Sequence, residues 1–187
     1  SETFESSYIE NLGDGKFSTR PLPIEAQFSP VYGMVTEDYN ADGNLDLVLV
    51  GNSYATEVST GRYDASIGLY LLGNGDGNFN SVNARKSGFM VDKDAKGLSK
   101  LALGDGREMI LAGINSGKLK AHTANGVKEY YKAASDDAYA IITLKNGKSF
   151  KHEFYYGSTY LSQSSRAFVL PANVKDIEVY SFSGTKK

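Results

Sequence analysis

The stretch Val31–Asn52, VYGMVTEDYNADGNLDLVLVGN, reads as strand, acidic loop, strand. Val31, Met34 and Val35 lead into the loop, and Leu45, Leu47, Val48, Leu49 and Val50 lead out of it. The β-branched content and the bounding Gly and Asn residues fit a buried hairpin better than a helix. Between the strands Asp38, Asn40 and Asp42 occupy alternate positions, Gly43 follows, and Asp46 closes the set.

That spacing has a chemical reason. A hard cation such as Ca²⁺ takes six to eight oxygens at roughly 2.3–2.6 Å from carboxylates, amides and main-chain carbonyls. Alternate residues of a tightly curled loop can aim their oxygens at one centre, and Gly43 lets the backbone turn where a side chain would obstruct it. Asp46 can cap such a site from the start of the next strand, and Asn44 can add its main-chain carbonyl. Without a cation, three carboxylates crowd one small volume. The plain alternative is a polar hairpin loop, because Asp, Asn and Gly are also the commonest turn residues. An EF-hand does not fit: its twelfth position falls on Leu49, and no helices flank the loop. Mg²⁺ demands stricter octahedral geometry, so Ca²⁺ is the expected ion.

The pattern DxNxDGxxD between two hydrophobic strands resembles the calcium loop of FG-GAP (VCBS-type) repeats, the blades of integrin-like β-propellers. Its surroundings repeat as well. NLGDGKF at 11–17 and GNGDGNF at 73–79 place Phe17 and Phe79 62 residues apart, each after an Asp-Gly pair that reads as a tight hairpin turn. A period near sixty residues suits a four-stranded propeller blade, and the GDGxF turn is similar to the one that ends FG-GAP blades. Shifted by 63, Asp42-Gly43 falls on Asp105-Gly106 and Gly51-Asn52 on Ile114-Asn115. That copy, LSKLALGDGREMILAGIN, keeps the hairpin but puts Leu101, Leu103 and Met109 where Asp38, Asn40 and Asp46 stand, so it should hold no metal. KLKAHTA and VKEYYKA are expected as its outer strands.

Composition agrees with an all-β chain. The 187 residues carry 41% hydrophobic side chains, 20 Gly, 13 Tyr and 9 Phe, with no long amphipathic helical pattern. A net charge of −2 gives no electrostatic case for nucleic acid or an anionic membrane. No apolar run reaches the length of a membrane span. Cysteine is absent, which removes disulfides, thiol catalysis and Cys-ligated zinc. No signal-peptide pattern opens at Ser1, and a start on an outer strand reads as a piece of a larger propeller. A calcium site of the weak, extracellular class suits an exported protein: extracellular, on the cell surface or periplasmic.

From about Asp136 the character changes. AYAIITL, a K-N-G-K turn and SFKHEFYY predict a hairpin with Asn146-Gly147 as a type I′ signal. YGSTYLSQSSR, AFVLP and VKDIEVYSF follow. The YGSTYLSQSSR run before an apolar strand is similar to the ASPIC/UnbV C-terminal domain, although AFVLPANV replaces that family's glycine-rich phrase. In proteins of the cartilage-acidic-protein type such a domain follows FG-GAP repeats, and GRYDA at 61–65 resembles their loops. The expected architecture is therefore a partial β-propeller over 1–133, with one complete and one degenerate FG-GAP-type blade. A small β-sandwich or capping sheet is expected over 134–187.

Function is expected on loops. Residues 52–66 are too long for a minimal hairpin and carry Tyr54, Glu57, Arg62, Tyr63 and Asp64. Exposed Tyr and Arg are typical of recognition surfaces, and Tyr stacks on sugar rings. The alternative is that the two tyrosines pack down while Arg62 pairs with Glu57. Catalysis finds no G-x-S-x-G, HExxH or P-loop, and His122 and His152 stand alone in strand-like stretches. The expectation is a non-enzymatic calcium-binding module of an exported protein, acting in adhesion or binding of a protein or glycan ligand, with a carbohydrate-binding or carbohydrate-processing accessory domain as the second reading. The rest of a larger propeller or a self-association partner are the other expected contacts.

Overall fold

The computed structural model describes residues 3–187; Ser1 and Glu2, the first positions of the unit expected over 1–133, lie outside the described residues. Strand makes up 46% and helix 4%, so the protein is all-β, built of several antiparallel sheets of which none is closed.

Alternating apolar residues and Gly-centred turns set the order of strands. β1 (Ser7–Gly13) and β2 (Lys16–Pro21) form a two-stranded ribbon. Asp14 and Gly15 between them both have positive φ, 51° and 71°, the type I′ geometry that matches strand twist. β3 (Val31–Glu37), β4 (Asp46–Gly51), β5 (Leu69–Gly73) and β6 (Phe79–Val82) make a four-stranded meander. A one-turn helix, α1 (Ala84–Ser87), leads to a three-stranded meander of β7 (Ala95–Ala102), β8 (Glu108–Ile114) and β9 (Lys120–Thr123). β10 (Tyr130–Lys132) pairs with β13 (Ala167–Val169), while β11 (Asp137–Leu144) lies between β12 (Ser149–Glu153) and β14 (Val174–Ser181).

The two meanders share a plan. β3–β4 pairs Val31 with Gly51, then Gly33 with Val50; β7–β8 pairs Ala95 with Ile114, then Gly97 with Gly113, a bulge at the same rung. The Asn after each inner hairpin reaches back alike: Asn52 N–H donates to Pro30 O at 3.1 Å and Asn115 N–H to Asp94 O at 2.8 Å. Glu37 faces Asp46 where Leu101 faces Met109, so the connection is one residue shorter in the second hairpin. Asp38 therefore corresponds to Ala102 rather than Leu101. The ligand-type oxygen is missing either way.

β4 is buried at every position because it is covered on both faces, which accounts for its unbroken LVLV run. Val48 and Val50 join Val35, Phe89, Val91, Leu98 and Ile110 on one side. Leu47 and Leu49 join Leu71 and Ala26 on the other. Gly33 lets β3 approach β7: a Cβ there would stand 2.6 Å from the Cβ of Leu98. A third core of Ala140, Ile142, Phe154, Phe168 and Val179 lies between the β10–β13 pair and the β12–β11–β14 sheet, with Tyr131 packed against it.

Three local expectations are corrected. The Asp76-Gly77 turn is not tight: β5 ends at Gly73 and β6 begins at Phe79, because Asn74 and Asp76 side chains take up the N–H groups of a wider loop. At Asn146-Gly147 only Gly147 has positive φ, 84°, and Gly147 N–H donates to Leu144 O, so the turn is not type I′. VKEYYKA does not extend the β7–β9 meander. Its strand, β10, pairs instead with β13, because Tyr131 is drawn into the aromatic cluster of Phe154 and Phe168.

Candidate metal centre

The loop between β3 and β4 brings the predicted residues together. Its exposed part closes on itself through side-chain turns. Asp38 accepts from Asp42 N–H at 3.1 Å and from Gly43 N–H at 2.9 Å. Asn40 Oδ1 also accepts from Asp42 N–H, at 3.1 Å, and Asn40 Nδ2 donates to Asp42 Oδ2 at 2.8 Å. Asp42 Oδ1 takes Asn44 N–H at 2.8 Å. These bonds, the Asn40 side chain first, hold the Asp42 carboxyl below its ordinary range. Gly43, with φ 89°, permits the reversal, and Ala41 at φ 60° shares it.

Asp46 plays a different part. It is fully buried, and three donors reach it: Tyr39 N–H at 3.1 Å and Tyr70 Oη at 2.8 Å on Oδ2, and Gly73 N–H at 3.0 Å on Oδ1. Burial, followed by the bond to Asp46, pushes the Tyr70 hydroxyl well above its ordinary value. Asn44 turns its side-chain oxygen toward Gly75, while its N–H serves Asp42.

The donor set fits a hard cation in kind: it is all oxygen, and among the described residues none of Asp38, Asp42 and Asp46 forms an ion pair with Lys or Arg. A carboxylate offers about four acceptor sites, so Asp46 keeps one after serving three donors. Among the described residues no three acidic or imidazole side chains stand gathered as a metal cage. The loop oxygens are instead turned onto loop N–H groups. The second hairpin differs in charge as well, since Asp105 is held by Arg107 at 2.7 Å.

Sequence reasoning missed the setting of the loop. Tyr39 packs edge-on to Tyr70, and Lys128 lies over the Tyr39 ring while donating to Asp38 O at 3.1 Å. Beneath, Lys100 Nζ lies 2.6 Å from Glu37 Oε2, and buried Glu108 accepts from Tyr130 Oη at 3.3 Å. Burial raises the Glu108 carboxyl above its ordinary value. Next to the loop opens a cleft of about 670 Å³ lined by Met34, Asp38, Lys100, Phe150 and His152. No local signal marks it, because its walls come from segments more than a hundred residues apart.

The 52–66 loop is pinned at its base by paired main-chain bonds between Ser53 and Tyr63, at 2.8 and 2.9 Å. Arg62 does not pair with Glu57; its guanidinium sits 4.8 Å over the Tyr54 ring. Tyr63 is 52% exposed, and Glu57 and Asp64 are exposed too. No protein-family model and no curated protein matches this chain.

Proposed function

We propose that this chain is a non-enzymatic, calcium-stabilised module of FG-GAP-type propeller blades, belonging to an exported protein and binding a protein or glycan ligand through its loops. The observation that carries the reading is the pair of carboxylates Asp38 and Asp42 in the β3–β4 loop with Asp46 at the start of β4, none of which, among the described residues, forms an ion pair with Lys or Arg. Asp38, Asp42, Asp46, the Asn40 amide and the Asn44 carbonyl are the groups that would hold the ion. Bound there, Ca²⁺ supplies charge neutralisation to the loop. The shared register of the two meanders supports reading them as blades, one with ligands and one without. Residues 134–187 then correspond to the ASPIC/UnbV-like unit. Tyr63, half exposed beside the Tyr54–Arg62 stack, favours a glycan as the second ligand class.

The test is thermal. A ligand bound only by the folded state raises its stability by mass action. Added Ca²⁺ should raise the melting temperature of chelator-treated protein, Asp42→Ala should abolish the rise, and Asp105→Ala should leave it intact. No rise at millimolar Ca²⁺ would sink the cation site.

A further inference from the structure

Asparagine is followed by glycine at three places, Asn74-Gly75, Asn125-Gly126 and Asn146-Gly147. Such a step can cyclise, because glycine has no Cβ to obstruct the approach of its nitrogen to the asparagine side chain. Cyclisation needs two groups free: the carboxamide, which must swing over the chain, and the glycine N–H, which must give up its proton.

Two of the steps are tied. Asn146 Oδ1 accepts from Lys148 N–H at 3.0 Å, and Gly147 N–H donates to Leu144 O at 2.9 Å, so both reacting groups are engaged. Asn74 Oδ1 accepts from Asp76 N–H and from Asn78 N–H, each at 3.3 Å, and Asn74 N–H donates to Asn78 O at 3.2 Å. Its carboxamide braces the turn it would have to leave.

Asn125 is not held in this way. It and Gly126 are exposed in the link between β9 and β10, and among the described residues nothing bonds to the Asn125 carboxamide or to Gly126 N–H. Gly126 has a φ of 84°, and a Cβ built on it meets no atom within 4 Å, so the space around the step is open. The ends of the link are fixed: Ala124 N–H donates to Glu108 O at 2.9 Å and Lys128 N–H to Gly106 O at 2.8 Å.

We propose that Asn125 is a site of spontaneous modification by water, converted through a cyclic imide to aspartate and isoaspartate. The Gly126 nitrogen, its proton lost to solvent base, attacks Asn125 Cγ. A C–N bond forms, the Cγ–Nδ2 bond breaks, and Nδ2 leaves as ammonia with the proton returned by solvent. Water then adds to one of the two imide carbonyls: opening at Cγ gives aspartate, and opening at the main-chain carbonyl gives isoaspartate. The net change replaces –NH2 by –OH and, on ionisation, adds one negative charge. In the isoaspartyl form the main chain between the two anchors is one carbon longer, within the segment that carries Lys128 to its bond with Asp38 O. The reaction needs no cation at the acidic loop.

The full chain, folded, is aged in mildly alkaline buffer, digested at acid pH and mapped by mass spectrometry, with isoaspartyl methyltransferase labelling to separate the two products. Asn125 should gain the mass of the exchange about tenfold faster, or more, than Asn74 or Asn146, a factor within the range that orientation of reacting groups controls. In urea the three steps should react within about threefold of one another, because the fold no longer positions them. Asn125→Ser, at an exposed position, should keep the melting temperature and remove the fast site. Comparable rates at all three steps in the folded chain overturn the proposal, as does a faster Asn74 or Asn146. So does an Asn125 that stays intact in the fold yet reacts in urea. An undiminished lead of Asn125 in urea would trace its reactivity to its sequence neighbours and overturn the structural selection equally.

Discussion

Tyr70 Oη donates to Asp46 Oδ2 at 2.8 Å, from the neighbouring strand of the same sheet. With Gly73 N–H and Tyr39 N–H on the same carboxylate, Asp46 ties β5 and the acidic loop to the start of β4. Its removal leaves three donors without their acceptor, two of them main-chain.

Asp46→Ala should therefore destabilise the protein by about 2–4 kcal/mol even in chelator, since stranded buried donors cost more than an average hydrogen bond. Asp42, exposed and bonded only within its loop, should behave otherwise. Asp42→Ala should cost about 1 kcal/mol or less in chelator while losing the response to Ca²⁺. Urea denaturation of both variants, with and without Ca²⁺, separates the two roles; equal losses in chelator would contradict the division.

Gly33 makes the packing of β3 on β7 testable. A Cβ there meets the Cβ of Leu98 at 2.6 Å, its backbone N at 2.8 Å and a Val50 methyl at 2.9 Å, and no flexible side-chain end is available to yield. Gly33→Ala should cost about 1–3 kcal/mol, the range for overpacking a close-packed interior. Gly43→Ala meets no atom within 4 Å and is penalised only by its φ of 89°. A Gly33→Ala variant as stable as its parent would mean that the two sheets separate readily.

Much of this was legible in the sequence because local signals dominate there. Alternation and β-branched content located β3, β4, β7 and β8, and Asp14-Gly15 announced a two-residue turn that two positive φ values deliver. Asp38, Asn40 and Asp42 lie in the β3–β4 loop, with their oxygens turned onto loop N–H groups. What was not legible depends on distant partners. Asp46 looks like a loop ligand from its spacing, yet Tyr70 and Gly73 draw it inward. β10 looks like the outer strand of its own meander, yet Tyr131 is claimed by aromatic rings more than twenty residues downstream. The cleft beside the loop has no sequence signature, since β3 and β12 meet only in the fold.

The 52–66 loop predicts a dissociation of stability from binding. Tyr63 is held through its main chain by Ser53, so shortening its side chain leaves those bonds in place. Tyr63→Ala should change stability by about 0.5 kcal/mol or less, the usual range for an exposed substitution, while weakening ligand capture on a glycan or protein array. Arg62→Ala uncovers the Tyr54 ring and should act in the same direction. Loss of stability with unaltered binding for Tyr63→Ala would make the loop a packing element.

The two histidines predict how stability depends on acidity. Burial first, then the nearby Lys120 charge, holds the His122 pKa below its ordinary value of 6.5. Its ring packs 4.8 Å from Phe89, and its buried Nε2 has no hydrogen-bond partner among the described residues. His152 is lowered by burial and by Lys100, against the opposing pull of Glu37. For both, the unfolded chain takes up a proton more readily than the folded one. Their contribution is therefore fully present above 6.5 and is lost as pH falls through that value toward the folded pKa. Glu108 has the opposite sign: its raised pKa favours the fold at low pH and weakens it as pH rises. Comparing each variant with its parent cancels that background. The parent's melting temperature should fall from about pH 7 to about pH 5, and His122→Phe or His152→Gln should each flatten the fall, the double variant most. The check is a melting series across that window at constant ionic strength. A double variant whose acid slope matches the parent's would show that neither imidazole stays neutral in the fold.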